Sequence, residues 1–206
     1  MDYIKLSYGD IDIYRTSLPL NVDKQPLLEE IYVQKRYIFF DKEYNDKEVG
    51  LPGLQLTVDI MAGDAVNSLK QLGYKIGKSI FESISGKEVY SGMQSNWIYI
   101  SAPSNPNSNY HDHIRFSAKE HGVYTDYTWI YYIQMPDNCQ DKEGHIFFKP
   151  NMYTSEGDEG AVSFFPEEGY LYFWNSVYAH RPELSPNSTK DRVILAGNLA
   201  FNTTIK

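Results

Sequence analysis

Two hydrophobic periodicities divide the chain. From 63 to 85, Val66, Leu69, Gly73, Ile76, Ile80 and Ile84 recur every three or four positions, with Lys70, Lys75 and Lys78 off that stripe. This predicts a helix with one apolar face, packed on the outside of a sheet. After Gly92 the period changes to two. Trp97, Tyr99 and Ser101 share one face of a strand, and Ile98 and Ile100 take the other. The run 128–135 alternates in the same way, with Thr128, Ile130, Tyr132 and Gln134 facing together. Further short strands are predicted at 144–149, 162–165 and 170–175, then at VYAH, ending on His180. A last one covers 192–201, with Arg192, Ile194, Ala196 and Asn198 on one face. Many short strands separated by turn residues predict a β-sandwich or barrel.

The first part of the chain is less regular. Residues 11–20 read as a short strand, with Pro19 at an edge or a strand end. Asp23 and Pro26 mark a helix start, and Leu27, Leu28, Ile31 and Tyr32 fall on one face of that helix. The stretch 41–53, charged and broken by Gly and Pro, reads as a loop. So does 102–109, rich in Pro, Asn and Ser, and so do 114–127 and 151–160. No repeat or linker divides the chain, so one domain over 1–206 is expected. In it, 1–95 supplies supporting helices and a strand, and 96–206 the barrel core.

Composition narrows the function classes. At 206 residues the chain can bury a sizeable core. A net charge of −8 argues against nucleic acid as the main partner, because phosphate binding is driven by Lys and Arg. A single cysteine, Cys139, cannot form an internal disulfide, which suits a reducing, cytoplasmic setting. The first residues lack the apolar core of a signal peptide, and no stretch approaches the length of an apolar membrane span.

The candidate chemistry centres on Tyr110-His111-Asp112-His113. Read as a strand, this stretch turns His111 and His113 to one face and Asp112 to the other. An isolated His-x-His is more often a surface feature than a metal site. Here a third histidine, His180, follows an alternating strand, and Arg192 opens the next one. Two close imidazoles, one distant imidazole and a following arginine form a spacing that an iron site in a β-barrel would produce. His121 and His145 are not expected as ligands, since each lies in or beside a loop.

Taken in order, WIYIS, YHDH, TWIYYIQMP, EGHIFF, FFPEEGYLYFWNSVYAHRPELSP and DRVILAGNLAF resemble the 2-oxoglutarate and Fe(II)-dependent dioxygenases, in particular the prolyl-hydroxylase-like group. The resemblance covers residues 97 to 202. It implies a double-stranded β-helix, a jelly-roll barrel with N-terminal helices outside its sheets and iron near one mouth. It also implies hydroxylation of an organic substrate, a small molecule or a peptide, using O₂ and releasing succinate and CO₂ from 2-oxoglutarate. The distal carboxylate of 2-oxoglutarate needs a buried cation, and the guanidinium of Arg192 matches a carboxylate in two hydrogen bonds. An ion pair between Arg192 and Asp191 or a nearby glutamate is the plainer reading, but the place of Arg192 at the start of an otherwise apolar strand, after a histidine, favours the clamp. The resemblance places Tyr132 beside Arg192 on that carboxylate, Tyr99 facing the co-substrate, and Asn198, on the same face as Arg192, with them in the co-substrate-binding set.

The metal motif departs from the family pattern, which has a carboxylate where this chain has His113. Three ligand sets are compatible with the sequence: His111, His113 and His180; a bulge that turns Asp112 inward; or a carboxylate from Asp126 or Glu120 in the following loop. Strand parity favours the all-histidine set, which leaves Fe(II) with one more positive charge than usual. Two other function classes stay open: a cupin-like metalloenzyme without 2-oxoglutarate, and a jelly-roll binding module with no enzymatic activity.

Overall fold

A computed structural model describes residues 2–41, 54–57, 63–103, 109–113, 127–151 and 157–203. The sequence elements appear in the order β1 (Tyr3–Tyr8), β2 (Ile11–Thr16), α1 (Lys24–Asp41), β3 (Leu54–Thr57), α2 (Asp64–Ser85) and β4 (Val89–Ser101). They continue with β5 (Tyr127–Gln134), β6 (Ile146–Lys149), β7 (Val162–Phe164), β8 (Leu171–Asn175), β9 (Ala179–Pro182) and β10 (Arg192–Thr203). A seven-stranded sheet runs β1-β2-β8-β5-β10-β4-β3 and a three-stranded sheet runs β7-β6-β9. Every pairing is antiparallel. The chain is mostly β, with the facing sheets that the alternating pattern predicts and the jelly-roll arrangement that the resemblance implies.

Strand parity sorts the large sheet into two faces. Ile98 and Ile100 of β4, Trp129, Tyr131 and Ile133 of β5 and Leu195 and Leu199 of β10 join α1 and α2 in one apolar cluster. Tyr99, Ile130, Tyr132, Ile194 and Ala196 point the other way, into a second cluster with Ile146 and Phe148 of the small sheet. The helices therefore cover the outer face, and the cavity-forming core lies between the sheets. Contact between α2 and the sheet is close enough to need glycine. A Cβ at Gly73 would lie 2.4 Å from the Trp129 ring, and one at Gly77 would lie 2.5 Å from Leu199 Cδ1.

Helix α1 starts where its capping signal predicts. The Asp23 carboxylate accepts a hydrogen bond from the Gln25 N–H at 3.1 Å, and Pro26 falls in the first turn, where a missing N–H costs nothing. The sequence pattern does not predict β1. Its side chains are mostly half-buried or exposed, so it carries little alternation to read. Most of the loop expected at 41–53 lies outside the described residues, although Asp41 itself closes α1; 104–108, 114–126 and 152–156 of the other loops are also outside. His180 is not a strand end: β9 continues through Arg181 to Pro182.

Candidate metal centre and co-substrate cavity

The Tyr110–His113 stretch is not a regular strand, which corrects the expectation from parity. His111 makes a single antiparallel bridge with His180, its N–H donating to the His180 carbonyl at 3.1 Å and the reverse bond measuring 2.9 Å. His113 lies at a bend, where its N–H donates to the Ser176 carbonyl at 3.3 Å. The bridge adds one residue to the free edge of β9, beside the only histidine of that strand. Proximity of the imidazoles thus comes from backbone pairing across the sheet edge rather than from alternation within one strand.

His111, His113 and His180 place their ring nitrogens within 4.8 Å of one another. Among the described residues, Asp112 lines the cavity but does not join this cluster of donors. Asp126, Glu120 and His121 lie outside the described residues. His145 stands apart, its Nδ1 3.4 Å from Ser163 Oγ.

Tautomers are set by the backbone. His111 Nδ1 donates to the Asn109 carbonyl at 3.2 Å, and His180 Nδ1 donates to the Tyr178 carbonyl at 3.3 Å. Each bond leaves Nε2 with a free lone pair. The Nε2 atoms of His113 and His180 face each other at 3.4 Å. Two nitrogens bound to one ion at about 2.1 Å, with an angle of 90° to 110°, lie roughly 3.0 to 3.4 Å apart. The spacing therefore fits a shared cation.

Aromatic rings enclose the centre. Trp174 meets His180 edge-on at 5.1 Å, Phe148 lies 5.8 Å from His180, and the Trp97 ring is 5.4 Å from that of His113. Burial pushes all three imidazoles below their ordinary pKa. His113 falls to about 3 and His180 well below its usual value, each also lowered by its neighbouring imidazoles. For His111 the same burial is partly offset by the Asn109 carbonyl and Asp112. All three are neutral at pH 7, the form that a metal ion requires.

One cavity of about 210 Å³ joins the histidines to Arg192, Tyr132, Tyr99 and Asn198. This is smaller than the roughly 300–1,000 Å³ typical of drug-sized ligand sites and suits a short metabolite. Arg192 is 6% exposed, its Nε has no hydrogen-bond partner, and no carboxylate pairs with it among the described residues. Burial lowers its pKa, offset in part by the nearby Tyr132 and Tyr99 hydroxyls. Asp191 is occupied elsewhere, since its carboxylate accepts the Tyr32 hydroxyl at 3.0 Å. An unpaired guanidinium in an apolar cavity is costly unless an anion meets it.

Asn198 is buried at the other end of β10's inward face. Its Oδ1 accepts from Thr128 Oγ1 at 3.2 Å, and Thr128 Oγ1 lies 3.0 Å from Ser176 Oγ. Asn198 Nδ2 is left without a partner. Sequence reasoning did not single out Trp97, although its shared face with Tyr99 was sufficient to place it in the cavity. It also missed Thr128 and Ser176, whose roles depend on contacts across 48 residues.

Solved structures of three proteins share this architecture. A prolyl 4-hydroxylase of Pseudomonas putida superposes with a TM-score of 0.56 at 15% identity, covering 92% of each chain. The epimerase SnoN, solved with Fe³⁺, α-ketoglutarate and nogalamycin RO, gives 0.57 at 12% identity, over 91% of this chain and 78% of that one. A Trichoplax adhaerens prolyl hydroxylase bound to a hypoxia-inducible-factor peptide fragment gives 0.54 at 12% identity, over 86% and 77%. No protein-family profile matches the sequence, and no curated protein sequence matches it. The chain has the fold of the 2-oxoglutarate/Fe(II) oxygenases.

Proposed function

We propose that this protein is an Fe(II)- and 2-oxoglutarate-dependent oxygenase that hydroxylates an organic substrate. The observation that carries the reading is a single cavity holding three convergent imidazoles at one place and, at another, a buried guanidinium that no carboxylate pairs with among the described residues. In this reading His111, His113 and His180 hold the metal on one side and leave its other positions open. Bound Fe(II) would supply O₂ activation coupled to the decarboxylation of 2-oxoglutarate to succinate and CO₂. SnoN is an epimerase, so hydroxylation belongs to the proposal and not to the fold.

The remaining roles fall to this chain's own side chains. Arg192 receives the distal carboxylate of 2-oxoglutarate, with Tyr132 and Tyr99 on the neighbouring strands. In register, both tyrosines stand opposite Ile194, one on each side of β10. Asn198 takes the substrate end. Six residues of extended strand span about 20 Å, too far for Asn198 and Arg192 to share one carboxylate. Its unpartnered amide N–H group can donate to an acceptor oxygen on a small-molecule or peptide substrate. Trp174, Phe148 and Trp97 keep water from the histidines. An all-histidine set adds no negative charge, so a dianionic co-substrate is favoured by both the metal and Arg192. The lone Cys139, a free thiol, suits a reducing cytoplasm. Among the described residues no helix is long and apolar enough to cross a membrane.

The test is anaerobic addition of Fe(II) and 2-oxoglutarate to the purified protein, read by visible absorption. A charge-transfer band of the chelate supports the proposal. Fe(II) binding with no band and no affinity for 2-oxoglutarate points to cupin-like chemistry instead. Absence of metal binding ends the enzymatic reading.

A further inference from the structure

The residues next to two of the three histidines meet one another on the side of the sheet edge away from the cavity. Tyr110 precedes His111 and Arg181 follows His180, so the bridge that brings the two imidazoles together also aligns these two side chains. Neither lines the cavity. Both converge on Asp158. The Tyr110 hydroxyl donates to Asp158 Oδ1 at 2.8 Å, Arg181 Nε donates to the same oxygen at 3.1 Å, and Arg181 Nη2 donates to Oδ2 at 2.6 Å.

Other contacts hold this cluster. Arg181 Nη1 donates to Glu183 at 2.9 Å, and its guanidinium lies 4.4 Å above the Phe147 ring. The Lys149 ammonium sits 4.5 Å over the Tyr110 ring. The Arg181 side chain is only 9% exposed, whereas Asp158 is 47% exposed. An ion pair to so exposed a carboxylate stabilises the fold little. Its forked geometry nevertheless fixes direction, and that is what a metal site needs from its surroundings.

We infer that Asp158 is a positioning residue for the metal centre, tying Tyr110 to Arg181 so that His111 and His180 converge. The inference rests on the histidines being metal ligands. The segment 109–113 has few other attachments among the described residues. They include its two backbone bonds to His180, the His113 N–H bond to Ser176, the contacts between imidazoles, the Trp97 ring against His113, and the Lys149 and Arg181 cations over the Tyr110 ring. The Tyr110–Asp158 bond is the side-chain tie that carries this segment to the loop at 157–160.

Cobalt(II) titration separates the possibilities, because its visible band reports ligand geometry. Tyr110→Phe removes one hydroxyl, and Asp158→Asn keeps the shape while losing the charge. Both are expected to weaken Co(II) by about 10- to 100-fold and to shift the band. Asp158→Glu should recover part of the affinity. Asp12→Asn, which breaks the distant edge pair with Lys5, should leave both readouts unchanged. If Asp158→Asn does not fold, Tyr110→Phe decides alone. A parent-like Kd and band in the two variants overturns the positioning role, even where the unfolding midpoint drops. A parent protein that binds no Co(II) overturns the metal centre itself, and the positioning role with it.

Discussion

His113 and His180 are 67 residues apart in the chain, yet their Nε2 atoms face each other at 3.4 Å. Two neutral imidazoles with opposed lone pairs gain nothing from that approach unless a proton or a cation lies between them. His180 already donates through Nδ1 to the Tyr178 carbonyl, so its Nε2 is an acceptor. A proton on His113 Nε2 would give one ordinary hydrogen bond. A metal ion would serve all three rings at once.

Metal content distinguishes these cases. His111→Ala and His180→Ala are each expected to lower Fe(II) affinity by more than the roughly 10- to 100-fold of a supporting change, because each removes one of three donors. His113→Ala should do the same. His113→Asp should retain metal, since a carboxylate oxygen takes the place of the imidazole nitrogen as donor. Retention of Fe(II) by His113→Ala alone would identify Asp112 or a loop carboxylate as the third donor.

Arg192→Ala should weaken 2-oxoglutarate by about 30- to 150-fold, equivalent to about 2–3 kcal/mol for a charge-assisted pair of hydrogen bonds. Fe(II) affinity should not change. Asn198→Ala should leave both constants near those of the parent, because six residues of extended strand, about 20 Å, separate Asn198 from Arg192. Calorimetric titration of the Fe(II)-loaded proteins measures all of these. A loss of 2-oxoglutarate affinity in Asn198→Ala would move that residue to the co-substrate.

Acid should destabilise the metal-free protein. The His113 pKa falls from 6.5 in the unfolded chain to about 3 in the fold. Above pH 6.5 neither state is protonated there, and the fold keeps its full stability. Below it the unfolded chain takes up a proton that the fold cannot accept, costing about 1.4 kcal/mol for each pH unit down to the folded value. His111 and His180 are shifted in the same direction and steepen the decline. Urea midpoints between pH 7 and 4 should fall, and His113→Asn should flatten the slope. An unchanged slope in that variant would place the acid sensitivity elsewhere.

Gly73→Ala sets two effects of opposite sign against each other. Alanine in a helix interior is favoured over glycine by up to about 1 kcal/mol. The new Cβ would lie 2.4 Å from the Trp129 ring, which is itself fully buried. Overpacking of this kind typically costs about 1–3 kcal/mol, so net destabilisation is expected from chemical denaturation. A more stable Gly73→Ala protein would mean that α2 can shift away from the sheet.

Much of the fold was legible because face assignment is a local property. The three- and four-residue spacing of Val66, Leu69, Ile76 and Ile80 placed α2. Alternation along β4, β5 and β10 put Tyr99, Tyr132, Arg192 and Asn198 on the face that lines the cavity. Strand β1 escaped notice because an edge hairpin strand buries too little to alternate. Local pattern could not say which faces meet. The His111–His180 bridge, the bend at His113 and the convergence of Tyr110 and Arg181 on Asp158 all depend on pairing between distant segments. Parity within a strand is a rule of one backbone, and it fails where a single bridge replaces a ladder. Tertiary pairing alone brought three imidazoles to one point and left Arg192 buried without a carboxylate among the described residues.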